Sequence, residues 1–293
     1  MEPKIYDTYC EAFDGLYSRI LITAKNERLL KKAALNSTAL PLTVLGGSEG
    51  GVEKWLSEKE TPDGRKGAIT QYWVLYIKNA TETLEIDLAK RIRQGILVVP
   101  TTTVFNVLES EKKFDMMNRV GHCGDGYEYE EKYSGRNVIN IPIMMREFRI
   151  ERYLGYSKGV MGGNIWFLCD SQDSGIEAGE KALDAIRKVD GVVTPFDICS
   201  AGSKVETKYK EIGPTTNHPF CPTLEGKIPD YKVPDGVESI PEIVINGISL
   251  DAVKEAMKIA IKSAMNVKGV VGISAGNYGG KLGKYKIYLK ELL

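Results

Sequence analysis

Apolar residues recur along this chain with two alternating periods, one of two residues and one of about 3.6, and each change of period marks a switch between strand and helix. A strand is predicted over residues 19–24. Asn26 is placed to cap a helix carrying Leu29, Leu30, Ala33 and Ala34, and 41–45 returns as a strand. The succession then repeats. Residues 72–77 are bulky and β-rich, Thr81 is placed to cap a helix with Leu84, Leu88 and Ile92, Gly95 stops it, and 96–99 returns as a strand closed by Pro100. A third unit has a strand over 164–169, a helix capped by Asp173 or Ser174 with Ile176, Gly179, Leu183 and Ile186 inward, and a return strand over 191–194. The fourth unit has a strand over 242–246, a break at Gly247 and a cap at Ser249. Its helix carries Val253, Ala256, Met257, Ala260, Ile261 and Ala264, the stripe of a helix lying on a sheet, and 269–274 returns as a strand. A last strand alternates charged and apolar residues over 284–289.

Two tandem β-α-β units give β-α-β-β-α-β, the ferredoxin-like pattern, so four units predict an α+β protein with a duplicated ferredoxin-like fold. The seam is expected near residue 146, giving lobes over 1–146 and 147–293. The third and fourth units share D-G-V-V and K-G-V-V in their return strands. A doubly wound parallel sheet also alternates strand and helix. Against it, residues 99–164 lack a helical stripe and read as a β-rich insertion, with strand character over 137–141.

Composition narrows the function classes. Among 293 residues, 43% are hydrophobic, and 39 Lys and Arg balance 39 Asp and Glu, so no global field draws the chain to nucleic acid or anionic lipid. The first residues lack the apolar run of a signal peptide, and no stretch reaches membrane-spanning length, which makes the cytoplasm the expected location. Five cysteines without C-x-x-C spacing predict bystander thiols rather than a disulfide framework. His122 and His218 are the only histidines, far apart, so neither a zinc site nor a His-based nucleophilic apparatus is indicated. Carboxylates, hydroxyls, amides and backbone groups are left to carry the chemistry.

The run over 276–283, G-N-Y-G-G-K-L-G, resembles a nucleotide loop only superficially. Leu282 follows the lysine where a P-loop has Ser or Thr, and a strand rather than a helix comes next. It reads either as a plain connection or as a loop whose backbone N–H groups, Asn277 and Lys281 approach a ligand. Residues 46–51 read as a flexible glycine loop, and 159–164 as a tight turn or a second approach site. Residues 60–65 have P-D-G turn chemistry, and 213–236 holds five prolines with little periodicity. The run 203–210 has three lysines, suiting a solvated strand face or a basic rim for a polyanionic ligand. Alternation puts Glu242, Val244 and Asn246 on one sheet face and Ile243 and Ile245 on the other. A glutamate held against apolar neighbours has its pKa raised by desolvation and can act as an acid; a solvated strand-end carboxylate is the alternative.

These motifs, in order, carry a resemblance. D-T-Y-C-E-A-F at 7–13, T-P-D-G-R at 61–65, G-G-N at 162–164, S-K-V at 203–205, C-P-T at 221–223, E-I-V-I-N-G at 242–247 and I-S-A-G-N-Y-G-G-K-L-G at 273–283 together resemble the formylmethanofuran:tetrahydromethanopterin formyltransferases over essentially the whole chain. The resemblance implies reversible formyl transfer from methanofuran to N5 of tetrahydromethanopterin, with both carriers as substrates and no metal or tightly bound cofactor. It implies a homotetramer of two-lobed subunits. The family's proposed acid falls on Glu242. Ser274 and Asn277 become candidate polar contacts, and Ser203, Lys204, Asn217 and Lys281 candidate binders of the carboxylate- and phosphate-bearing tails. The segment between 119–121 and 124–127 is shorter than the family pattern, which bears on any role for His122. The alternatives are a formyltransferase subunit of a larger hydrolase complex and a non-catalytic pterin-binding paralogue.

Overall fold

The computed structural model describes residues 3–39, 47–204, 207–208, 210–211 and 215–293. The first part of the chain forms β1 (Lys4–Ile5), β2 (Tyr9–Thr23), α1 (Glu27–Thr38), β3 (Glu49–Leu56), β4 (Gly67–Leu75) and α2 (Ala80–Arg91). A π-helical segment, Ile92–Leu97, extends α2 and leads to β5 (Thr103–Asn106), β6 (Lys113–Asp115), β7 (Tyr129–Tyr133), β8 (Arg136–Ile143) and β9 (Arg146–Glu151). There follow β10 (Tyr153–Cys169), α3 (Gln172–Ile186), β11 (Val192–Val193), β12 (Glu242–Gly247), α4 (Leu250–Ala264), β13 (Val270–Ser274) and β14 (Tyr285–Tyr288). The chain is thus mixed α+β, with four α-helices among the described residues. No helix there is long and apolar enough to cross a membrane.

The contacts divide the chain into two compact units. One is Asp14–Gly159; the other is Val160–Leu293 with the chain's opening segment up to Phe13. In the Asp14–Gly159 unit the strands run in the order β3-β4-β2-β5-β9-β8-β7, antiparallel except for the parallel β5–β9 pair. Alternation along β2 sends Ile20 and Ile22 into the core shared with Leu30, Ala33 and Ala34 of α1 and Leu84 and Leu88 of α2. Leu21 points the other way, into a smaller cluster with Ile69, Phe105 and Val138. Full burial of each such leucine or isoleucine contributes about 1.5–3 kcal/mol.

In the second unit the order is β11-β12-β10-β13-β1, again antiparallel except at one edge, where β1 runs parallel to β13. The residues of α4 buried on the sheet are Val253, Ala256, Met257, Ala260, Ile261 and Ala264, the six that the 3.6-residue period selects. They meet Ile243, Ile245, Ile165, Phe167 and Ile273 from one sheet face. The opposite face carries Trp166 and Leu168, packed with Val233 of the proline-rich segment and Val237 just after it.

Several local expectations change. The return strand of the first unit, expected over 41–45, lies outside the described residues, and β3 begins at Glu49, so 49–51 are strand rather than loop. The return strand expected over 96–99 is instead the end of the π-helical segment, and β5 takes its place. Gly95 does not stop a helix. A Cβ there would lie 2.7 Å from Ser37 Cα, so this glycine lets the π-helical segment press against the backbone of α1. Asn79, not Thr81, caps α2, and Ser171 caps α3 by accepting from the Ser174 N–H. Ile176 is exposed, while Ala178 and Ala182 join Gly179, Leu183 and Ile186 on the buried face of α3. Residues 159–164 are not a tight turn but part of β10, whose pairing register with β12 shifts between Val160 and Gly163. The caps at Asn26 and Ser249 form as expected, each accepting from the N–H three residues on. The P-D-G turn holds, with the buried Asp63 carboxylate bonded to Thr23 and Arg65.

Candidate active site

The site is built on the sheet face of the second unit that the helices leave uncovered. Residues directly opposed across antiparallel strands present their side chains on one face, about 4.5–5.5 Å apart at Cβ. Trp166 of β10 opposes Glu242 of β12 on one side and Ser274 of β13 on the other, so these three form a row across the sheet. Glu242 is only 7% exposed. Its Oε1 accepts a hydrogen bond from the Trp166 indole N–H at 2.9 Å. Its backbone pairs with Cys199, N–H to carbonyl in both directions at 2.8 and 2.9 Å, and the Cys199 thiol donates to the carboxylate. Burial pushes the Glu242 pKa above the ordinary glutamate range, and the indole and thiol donors offset this only in part. A cleft of about 490 Å³ opens beside it, lined by Trp166, Ile198, Asn217, Phe220, Pro241 and Glu242 among others. The Trp166 and Phe220 rings meet edge to face at 4.8 Å. A buried acid beside an apolar, partly aromatic cleft keeps its proton to higher pH than a solvated carboxyl and can deliver it where water is scarce.

The glycine-rich loop between β13 and β14 begins against Trp166, where a Cβ on Gly276 would fall 2.7 Å from the indole. Its first residue is pinned by Asn164, which accepts from the Gly276 N–H at 2.7 Å and donates to its carbonyl at 3.1 Å. The loop's anion-binding capacity is filled from within the chain. Glu11 of β2, 1% exposed, accepts from the N–H groups of Tyr278 and Gly280 on Oε1, both at 2.6 Å. Its Oε2 accepts from Leu282 at 3.0 Å and Gly283 at 2.6 Å. Burial pushes the Glu11 pKa up, but the N–H groups of Gly283, Leu282, Gly280 and Tyr278 outweigh it and hold the carboxyl below the usual range. A Cβ on Gly283 would fall 2.5 Å from Glu11 Cβ, so the sequence needs glycine for this approach. The Tyr278 phenol, half-buried, is bonded to Ser203; burial, with the charges of Glu242 and Glu11, raises its pKa.

Of the residues singled out from the sequence, Glu242 and Asn217 line the cleft, Ser274 stands across Trp166 from Glu242, and Ser203 reaches Tyr278. Lys204 pairs its backbone with Thr215, while parts of the lysine-rich run lie outside the described residues. Asn277 donates to the Tyr9 carbonyl at 3.2 Å and Thr8 Oγ1 at 3.3 Å, and accepts from Gly279 N–H. Lys281 is exposed and is not among the cleft-lining residues. His122 bonds Glu128 at 2.6 Å in the other unit. No group of three or more His, Cys, Asp or Glu side chains converges as a metal site among the described residues. Sequence reasoning missed Trp166, Cys199 and Glu11. Cys199 was expected to be a bystander thiol and instead touches Glu242. For Glu11 a signal existed, since a lone acid sits inside the apolar strand run C-E-A-F.

Family models match both parts of the chain: "Formylmethanofuran-tetrahydromethanopterin formyltransferase" over residues 2–143 and "FTR, proximal lobe" over 146–292. A formylmethanofuran–tetrahydromethanopterin formyltransferase-like protein of Archaeoglobus fulgidus is 64% identical, covering 98% of this chain and 95% of the relative. The solved formylmethanofuran:tetrahydromethanopterin formyltransferase of Methanosarcina barkeri superimposes with a TM-score of 0.91 at 42% identity, covering 99% of this chain and 98% of that one. A chain of the formyltransferase/hydrolase complex of Methylorubrum extorquens, solved with methylofuran, gives a TM-score of 0.91 at 32% identity, covering 99% and 96%. The chain belongs to the formylmethanofuran–tetrahydromethanopterin formyltransferase family.

Proposed function

We propose that this chain transfers a formyl group between the amine nitrogen of methanofuran and N5 of tetrahydromethanopterin, with Glu242 as the acid. The observation that carries this is the buried Glu242 carboxyl, raised in pKa and held by Trp166 beside an apolar cleft. N5 attacks the formamide carbon to give one tetrahedral intermediate. Protonated Glu242 gives its proton to the departing amine nitrogen as the C–N bond breaks, and recovers one from N5. The balance needs no metal, redox step or covalent enzyme intermediate. Ser274 and Asn277 are proposed as polar contacts, and Ser203, Lys204, Asn217 and Lys281 as groups for the carriers' anionic tails.

The two lobes are proposed to be ferredoxin-like copies. The matching orders β3-β4-β2-β5 and β11-β12-β10-β13, each with a parallel strand added beside the fourth member, support the duplication. A homotetramer in the cytoplasm, without a tightly bound cofactor, completes the reading. Absorbance at the pterin band during incubation with formylmethanofuran and tetrahydromethanopterin tests it: the parent should produce formyl-pterin and folded Glu242→Gln should not. Near-parental kcat in that variant would remove Glu242 from the acid role.

A second reading has an observation of its own. Identity is higher to the Archaeoglobus protein named formyltransferase-like, 64%, than to the Methanosarcina enzyme, 42%. A pterin-binding paralogue without turnover would bind tetrahydromethanopterin yet give no formyl transfer in the same assay. The Methylorubrum complex supports asking also whether this chain acts as a complex subunit. Size-exclusion mass separates a homotetramer from that case.

A further inference from the structure

We propose that Glu11 is a positioning residue for the transfer, acting through Tyr278. This rests on the reading of Glu242 as the acid. Residues 8–13 grip the glycine-rich loop at three points. Asn277 is tied to Thr8 and Tyr9, the Glu11 carboxylate gathers four loop N–H groups, and the Phe13 ring packs on the Tyr278 ring at 6.4 Å, tilted by 56°. Glu11 and Phe13 lie two apart in β2 and so face the same way. One therefore fixes the Tyr278 backbone while the other fixes its ring. A run with three glycines in 279–283 has little stiffness of its own, and the charge-assisted bonds to a buried carboxylate supply the order that it lacks. The result is a phenol held against Ser203 and within electrostatic reach of Glu242. Titratable groups within reach of that acid are Cys10, Cys199 and Tyr278. A small displacement of such a group relative to the reacting atoms lowers kcat without first weakening substrate binding.

The test is a double-mutant cycle on the full chain with formylmethanofuran and tetrahydromethanopterin. Glu11→Gln and Tyr278→Phe should each lower kcat by about tenfold or more, with KM for both substrates within about threefold of the parent. The double variant should be no slower than the slower single variant by more than about threefold, because both act through one phenol. Amide exchange followed by mass spectrometry should speed up at least tenfold across the loop peptide in Glu11→Gln, about the loss of protection expected when a loop opens more easily. Losses that multiply, or parental kcat in Tyr278→Phe, overturn the proposal. If Glu11→Gln does not fold by circular dichroism, Phe13→Leu takes its place in the cycle with the same expectations. Glu242→Gln is assayed alongside: parental activity there overturns the acid, whereas the cycle and the exchange rates decide Glu11.

Discussion

Glu242→Gln should change how stability depends on pH, and the sign follows from the structure. The parent buries a carboxyl that is 7% exposed and has the Trp166 indole and Cys199 thiol as donors, so its folded pKa lies above the unfolded one. Below the unfolded pKa both states hold the proton and stability does not vary. As pH rises from there through the folded pKa, the unfolded state ionises first and stability is lost; above the folded pKa the loss is constant. An ionised carboxylate offers about four acceptor sites, and the site supplies one nitrogen and one weak sulfur donor. Leaving such a group under-satisfied costs about 1–3 kcal/mol. Glutamine has the same shape and does not ionise. Its melting temperature should therefore gain on the parent as pH rises, by about 2–4 °C for each kcal/mol. Thermal melts of both proteins from pH 4 to 9 measure this gap. A gap that stays flat, or narrows towards high pH, would refute the account of Glu242 as a desolvated acid. Glu11→Gln is the internal control with the opposite sign. Its parent carboxylate has a lowered pKa, so the parent's advantage is full above the unfolded pKa and is lost as pH falls through the folded one.

Trp166→Phe removes the N–H that stabilises the Glu242 carboxylate, so the descending limb of the kcat–pH profile should move to higher pH. A hydrogen bond to a charged group, about 1.5–3 kcal/mol, corresponds to roughly one to two decades in proton concentration. Gly95→Ala puts a Cβ 2.7 Å from Ser37 Cα and should destabilise the Asp14–Gly159 unit by about 1–3 kcal/mol, read as a fall in the chemical-denaturation midpoint. Ser249→Ala removes the acceptor of the Ala252 N–H and should cost about 1 kcal/mol by the same measurement.

The elements legible in the sequence were those whose signal is local. The α4 stripe and its Ser249 cap lie within one short continuous segment, and all six stripe residues are buried. The apolar run over 96–99 was misread as a strand because a short apolar run looks alike in a strand and in the end of a helix. For Glu242 alternation gave the sheet face and left the solvated reading open, and only the resemblance singled it out. Its partners were not legible, because they depend on register: Trp166 is 76 residues away, and Cys199 belongs to an irregular bridge rather than a patterned strand. The motif spacing separates the glycine-rich loop from nucleotide loops, yet the group that fills its N–H nest stands 267–272 residues earlier, beyond the reach of any local pattern.

That last separation bears on how the protein is made. The strand pairings described for Asp14–Gly159 lie within one continuous stretch, which a ribosome completes before it makes residues 160–293. The unit holding Glu242 is different. Residues 4–5 wait for β13, residues 9–12 wait for β14, and Glu11 waits for the loop between them. These contacts form only once residues 270–288 have been made, so a nascent chain stopped before residue 283 carries Glu242 but not the complete set of N–H groups that hold Glu11. Contacts this distant in sequence form slowly, which makes closure of the N- and C-terminal segments the expected late step in folding.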